Sequence, residues 1–255
     1  MNSKEILQKN FLYFFKLKRK IESHRKKGFI FVYKLKGSDI SISVNPKAGI
    51  TSTRYLLKSA NIKYKNLKIK PKKLIDQQFS IFIFRNPYKR AVSMYLRFCN
   101  LINGSRGYLE KSIVNDFLIK NGYENGISFN QFLDYLGNVD VFFRDIHFQN
   151  QYIPENYSFL VRTDFYKGDI LKAIKQLDLN IYNKIKNVDF SNIVKNSAAE
   201  SRKDLKKDLS DTSSSAIISY GLSGFYPISE NFLNEPNREK IEYIFRNDVD
   251  FYKNI

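Results

Sequence analysis

Residues 43–57, Ser-Val-Asn-Pro-Lys-Ala-Gly-Ile-Thr-Ser-Thr-Arg-Tyr-Leu-Leu, constrain this chain more than any other stretch. Ile40 to Val44 is short, β-branched and interleaved with serine, the pattern of a buried strand. Pro46 and Gly49 then mark a tight turn, and glycine reaches backbone angles closed to other residues. Thr51 and Ser52 fall where a helix begins, so two hydroxyls, Lys47 and the free N–H groups of the first turn share one space. Such a strand–turn–helix is an oxyanion site suited to phosphate. It is not the Walker pattern, because the lysine precedes the glycine and no Gly-Lys-Ser/Thr occurs. Taken alone, it is equally compatible with an ordinary strand-to-helix turn carrying a solvated lysine.

A second stretch narrows the choice. Phe79 to Phe84 is the most strand-like run of the chain and ends in Arg85-Asn86-Pro87-Tyr88-Lys89-Arg90-Ala91-Val92-Ser93-Met94-Tyr95. Asn86 suits an N-cap and Pro87 the first helical position, so the strand should pass sharply into a helix reaching about Leu101. Arg85 is then expected at the carboxyl end of a buried strand. If the two strands are parallel neighbours it lies beside Lys47, at the edge where open α/β sheets bind ligands.

With both stretches in view, the chain resembles the sulfotransferases that use 3′-phosphoadenosine 5′-phosphosulfate (PAPS), especially the carbohydrate branch, family 2-like. Their 5′-phosphosulfate loop, Pro-Lys-x-Gly-Thr/Cys-Thr/Ser-Ser, is similar to Pro46-Lys47-Ala48-Gly49-Ile50-Thr51-Ser52. Their 3′-phosphate motif, Arg-x-Pro-x-x-Arg-x-x-Ser-x-Tyr, is similar to Arg85–Tyr95 at every fixed position. Ile50 departs from the family's small or hydroxyl residue, which removes one side-chain contact and leaves the backbone donors. The resemblance implies a P-loop-like α/β fold of three layers, a central mainly parallel sheet flanked by helices. It implies that Lys47, Ala48, Gly49, Ile50, Thr51 and Ser52 hold the 5′-phosphate, while Arg85 and Ser93 hold the 3′-phosphate.

His147-Phe148-Gln149-Asn150-Gln151 resembles the family's His-Trp/Phe-x-x-Gln, which follows a Ser-Phe-x-x-Phe helix matched by Ser128-Phe129-Asn130-Gln131-Phe132. The resemblance implies a base or acceptor-orienting role for His147, whose free pKa suits that work. Asp145 and Asp164 stay open as alternative bases. The polar region from Asn187 to Ser215 corresponds to a loop that closes over the nucleotide, implying contacts from Ser197 and Arg202. Residues 238–252 resemble the family's closing Tyr-x-x-Asp-x-x-x-Tyr helix. In this scheme Lys47 neutralises charge on the bridging oxygen of PAPS, the product is 3′,5′-adenosine bisphosphate (PAP), and no metal is required.

Length and charge frame the rest. The 255 residues suit one domain, 37–255, preceded by a basic helical segment, 1–36, packed on or beside it. Phe11 to Phe15 is too short to span a bilayer, and the lysines and arginines after it suit a docking helix or a peripheral contact with a membrane surface. A formal net charge of +18 predicts attraction to polyanions. No helix-turn-helix, zinc or RNA-binding signature accompanies it, so no specific nucleic acid is expected. The resemblance to the carbohydrate branch implies a sugar hydroxyl as acceptor, on a polysaccharide or glycolipid, and the positive charge suits an acidic glycan. Cys99 is the only cysteine, which fits a reducing, cytoplasmic compartment. A nucleotide-dependent phosphotransferase and a non-catalytic polyanion-binding module remain the other classes. Oligomeric state is not legible.

Between the motifs, Phe29–Tyr33 and Ile40–Val44 read as a hairpin around Gly37-Ser38-Asp39, and 63–73 as a lysine-rich connection. Phe129, Phe132, Leu133 and Leu136 form a core stripe behind a Ser128 cap. Tyr157–Val161 reads as a strand and Gly168–Leu177 as a helix.

Overall fold

In a computed structural model of the chain, residues 30–69, 79–102, 126–138, 148–191, 202–224 and 226–255 are described. Their first element is β1 (Ile30–Leu35), which turns back through Gly37 into β2 (Ser41–Val44). The hairpin is antiparallel, with Phe31 opposite Val44 and Lys34 opposite Ser41. α1 (Ile50–Ser59) follows the loop, and β3 (Tyr64–Ile69), β4 (Phe79–Phe84) and α2 (Pro87–Ile102) come next. α3 (Phe129–Asn138) precedes β5 (Tyr157–Arg162), a short 3-10 turn at Thr163–Phe165, α4 (Tyr166–Leu177) and α5 (Leu179–Ile185). β6 (Arg202–Lys203), α6 (Ser214–Leu222), β7 (Tyr226–Pro227), α7 (Glu235–Ile244) and α8 (Arg246–Lys253) complete the described chain.

The main sheet has the order β3-β1-β2-β4-β5. β2, β4 and β5 run parallel, pairing Ile42 with Ile81 and Ile81 with Phe159. β1 and β3 add an antiparallel flank, so the sheet is mixed around a parallel core. β1 lies inside the sheet, and the sheet therefore takes in residues 30–35, ahead of the boundary drawn at 36/37. Residues 1–29 lie outside those described.

The helices pack on both faces. On one, Leu56 and Leu57 of α1, Ile170 and Ile174 of α4 and Ile181 of α5 bury Ile42, Val44, Ile81 and Ile83. On the other, Phe251 of α8 meets Phe84 at 4.8 Å and Phe82 at 6.1 Å between ring centroids. A second core lies among the helices, where Tyr95 and Phe98 of α2 contact Phe132 of α3. The stripe Phe129, Phe132, Leu133 and Leu136 is fully buried in it.

Two expectations about elements give way. The lysine-rich connection contains a strand, β3, because Leu67 and Ile69 lie opposite Val32 and Ile30 and help close a small apolar cluster. Lys65 and Lys68 are exposed, as suits a sheet edge. The closing helix is two helices, broken at Phe245, whose backbone (φ −119°, ψ 38°) leaves the helical region. The break is useful, since both Phe245 and Asp248 are buried. Among the described residues, no helix is long and apolar enough to cross a membrane.

Candidate functional site

The carboxyl ends of β2 and β4 are adjacent because the strands pair in parallel, Val44 opposite Ile83. Each is followed by a turn and a helix, so both helix N-termini open at one sheet edge. In the first turn Ala48 N donates to Asn45 O at 3.1 Å. Lys47 has φ 66° and Gly49 φ 100°, both left-handed. A Cβ at Gly49 would meet only ordinary contacts, 3.5 Å from Thr163 and 3.6 Å from Ile83, so it is the backbone angle that calls for glycine.

α1 starts at Ile50 with Gly49 as its cap residue, and no side chain among the described residues caps it. The amides of its first turn therefore face the space that Lys47 and Ser52 border. Thr51 is exposed and Ser52 half-buried. The hydroxyl held inward is that of Thr53, donating to Gly49 O at 3.0 Å and lying 3.2 Å from Tyr166 Oη. Ala48 uses its amide to close the turn, which leaves the later amides to the open side. Behind the loop, the buried hydroxyls of Ser43 and Thr163 have no hydrogen-bond partner among the described residues.

The second turn is capped as its sequence demands. Asn86 Oδ1 accepts from Tyr88 N at 2.9 Å and from Lys89 N at 3.3 Å, with Pro87 leading the helix. Asn86 Nδ2 donates to Tyr252 Oη at 2.9 Å. Arg85 reaches back to the first loop, its Nη1 donating to Lys47 O at 2.9 Å. Ser93 is half-buried on α2, two turns further along.

Arg90, the other arginine of this motif, does something else. It is 1% exposed and pairs with Asp248, which is 0% exposed, at 3.4 Å. Burial pulls the Arg90 guanidinium down to about 10 against the attraction of Asp248. Burial likewise pushes the Asp248 carboxyl up to about 6, although Arg90 and Gln151 favour its charged form. A buried pair of this kind shapes the site rather than meeting a ligand.

Of the other candidates, Asp164 forms an ion pair with Lys89 at 3.2 Å across the mouth between β5 and α2. Arg202 falls in β6, paired in parallel with β7 in a separate two-stranded sheet. His147, Asp145 and Ser197 lie outside the described residues. The sequence reading overlooked Asn45, Gln151 and Asp248 as parts of the site. Asn45 stands next to the Pro-Lys pair and Gln151 closes the His-x-x-x-Gln pattern. Asp248 could have been sought as the carboxylate that a buried Arg90 requires. Among the described residues, no group of three or more His, Cys, Asp and Glu is arranged to hold a metal.

A family model described as the sulfotransferase family matches residues 43–253, from the end of β2 to the end of α8. No curated protein and no solved structure gives a significant match.

Proposed function

Since the chain belongs to the sulfotransferase family and is a sulfuryl transferase, we propose that its donor is PAPS and its acceptor a carbohydrate hydroxyl. The observation that carries the donor reading is the Arg85–Lys47 hydrogen bond at the shared end of two parallel strands. It joins a basic guanidinium to a turn whose helix N-terminus is uncapped. Two anion-binding elements side by side suit a ligand with two separated phosphates.

In this reading the first-turn amides of α1, with Thr51 and Ser52, hold the 5′-phosphate. Arg85 and Ser93 hold the 3′-phosphate, and Ser197 and Arg202 close over the nucleotide. Bound PAPS supplies an activated sulfuryl group on a phosphate leaving group. Lys47 stands where negative charge grows on that leaving oxygen, and its contact strengthens as the bond breaks. His147 takes the proton of the acceptor hydroxyl. Most of the rate then comes from orientation and charge, as in phosphoryl transfer.

The acceptor reading rests on the carbohydrate-branch pattern around His147 and on the net charge of +18, which favours an acidic glycan or glycolipid. A cytoplasmic location, with peripheral membrane contact through residues 1–36, completes the proposal and is supported by the single, buried Cys99. Thermal shifts with PAP, ATP and heparin in parallel test the donor. PAP should stabilise the protein most. A larger shift with ATP favours a phosphotransferase, and a shift with heparin alone favours a polyanion-binding module. Transfer of labelled sulfate from PAPS to a panel of glycans then tests the acceptor.

A further inference from the structure

Residues 149–152 cross both loops as a strap. Tyr152 N donates to Asn45 Oδ1 at 2.9 Å, and Asn45 Nδ2 donates back to Tyr152 O at 2.8 Å. One residue earlier, Arg85 N donates to Gln151 Oε1 at 3.1 Å and Gln151 Nε2 donates to Arg85 O at 2.9 Å. The Gln151 amide thereby copies a strand neighbour, holding both polar groups of the residue that follows β4. Gln151 is itself held. Its N donates to Asp248 Oδ1 at 2.9 Å and Oδ2 at 3.1 Å, and its Nε2 lies 3.3 Å from Oδ2. Arg90 completes the strut, pairing with Asp248 and donating from Nη2 to Gln149 O at 2.6 Å.

Gln151 is 4% exposed and Asp248 0%, so water does not compete for these bonds. An apolar replacement of a buried ion pair is often no less stable, so stability alone does not account for the network. Its geometry does. Fixing both ends of the Arg85 residue limits where a long guanidinium can swing, and Asn45 fixes the facing loop to the same strap. We propose that Gln151 and Asp248 are positioning residues for donor binding, acting through Arg85 to aim its guanidinium at the 3′-phosphate. This inference rests on the 3′-phosphate role given to Arg85 above.

Calorimetry on the full chain with PAP and with 5′-AMP, which lacks the 3′-phosphate, isolates that contact. The wild type should prefer PAP, and Arg85→Ala should abolish the preference. Gln151→Leu should cut the preference at least fivefold while leaving AMP affinity unchanged, and should add nothing in the Arg85→Ala background. Gln151→Glu keeps an acceptor for Arg85 N but sets a carboxylate oxygen against Arg85 O and Asp248 Oδ2, so it should not restore the preference. Asp248→Asn, nearly isosteric, should lower the preference in the same direction and serves if Gln151→Leu does not fold. A full wild-type preference in the folded variants, or an equal loss for PAP and AMP, overturns the positioning role. A wild type and Arg85→Ala with the same preference instead remove the 3′-phosphate reading itself.

Discussion

Arg85 donates from Nη1 to the carbonyl oxygen of Lys47 at 2.9 Å, so the residue after β4 braces the turn after β2. The left-handed backbone of Lys47, φ 66°, belongs to the turn that offers this oxygen. One arginine donor is thus spent on the loop, within a planar fork of five N–H groups.

Replacement of Arg85 therefore tests two functions at once. Arg85→Ala should weaken PAP by about 1.5–3 kcal/mol, the range for a charge-assisted hydrogen bond. Arg85→Lys keeps the charge but not the fork, and should recover less than half of that loss. Calorimetry giving full affinity in a folded Arg85→Lys variant would show that charge alone suffices.

Lys47→Ala removes an ammonium without removing a Cβ, so the cost of its left-handed backbone stays nearly the same. If the ammonium acts on the departing oxygen, kcat should fall more than PAP affinity does. Turnover near wild type at saturating donor is the result that removes the leaving-group role.

What was legible in the sequence was local. The Asn86 cap, the Pro87 start and the Ser128 cap all join residues within three positions and all form, and Gln131 accepts in return from Ser128 N. The strand cores were legible too, because runs such as Phe79–Phe84 leave few alternatives. The struts were not. Gln151 meets Arg85 from 66 positions away, Asn45 meets Tyr152 from 107, and Arg90 meets Asp248 from 158. No pattern within a segment encodes such partners. Strand β3 was missed for another reason: at a sheet edge its ladder to β1 outweighs a lysine-rich composition.

The aromatic core between α2 and α3 offers a stability test remote from the site. Phe132 is fully buried, 5.7 Å from Tyr95, 5.4 Å from Phe98 and 5.4 Å from Phe148 between ring centroids. Phe132→Ala should cost about 3–5 kcal/mol, while Phe132→Leu, which fills more of the space, should cost less. Urea denaturation measures both, and equal losses would mean that cavity volume is not what counts there.

Asp248 gives stability a pH dependence with a definite sign. Burial raises its folded-state pKa from 3.8 to about 6, so between those values the native state binds more protons than the unfolded chain. The contribution is full below about pH 4 and is lost as pH rises through about 6. Asp248→Asn does not titrate there. Wild type should therefore lose stability relative to Asp248→Asn between about pH 4 and about pH 7.5, read from denaturation midpoints at both. A relative gain over that interval would mean that Arg90 outweighs burial.

The acceptor's base gives the last test. Asp164 is engaged with Lys89 at 3.2 Å, so its use as a base requires that pair to open. A carboxylate base is generally ionised well below neutrality and gives a flat rate from about pH 6 upward, whereas a histidine base gives a rate rising through about pH 6–7. With His147 as the base, His147→Ala should lose about 100- to 10,000-fold in kcat, keep its PAP affinity and lose the rising limb. Asp164→Asn should then leave both the limb and most of kcat in place. The opposite pair of results, a near-normal His147→Ala and an inactive Asp164→Asn, assigns the proton to the carboxylate and makes opening of the Lys89 pair part of turnover.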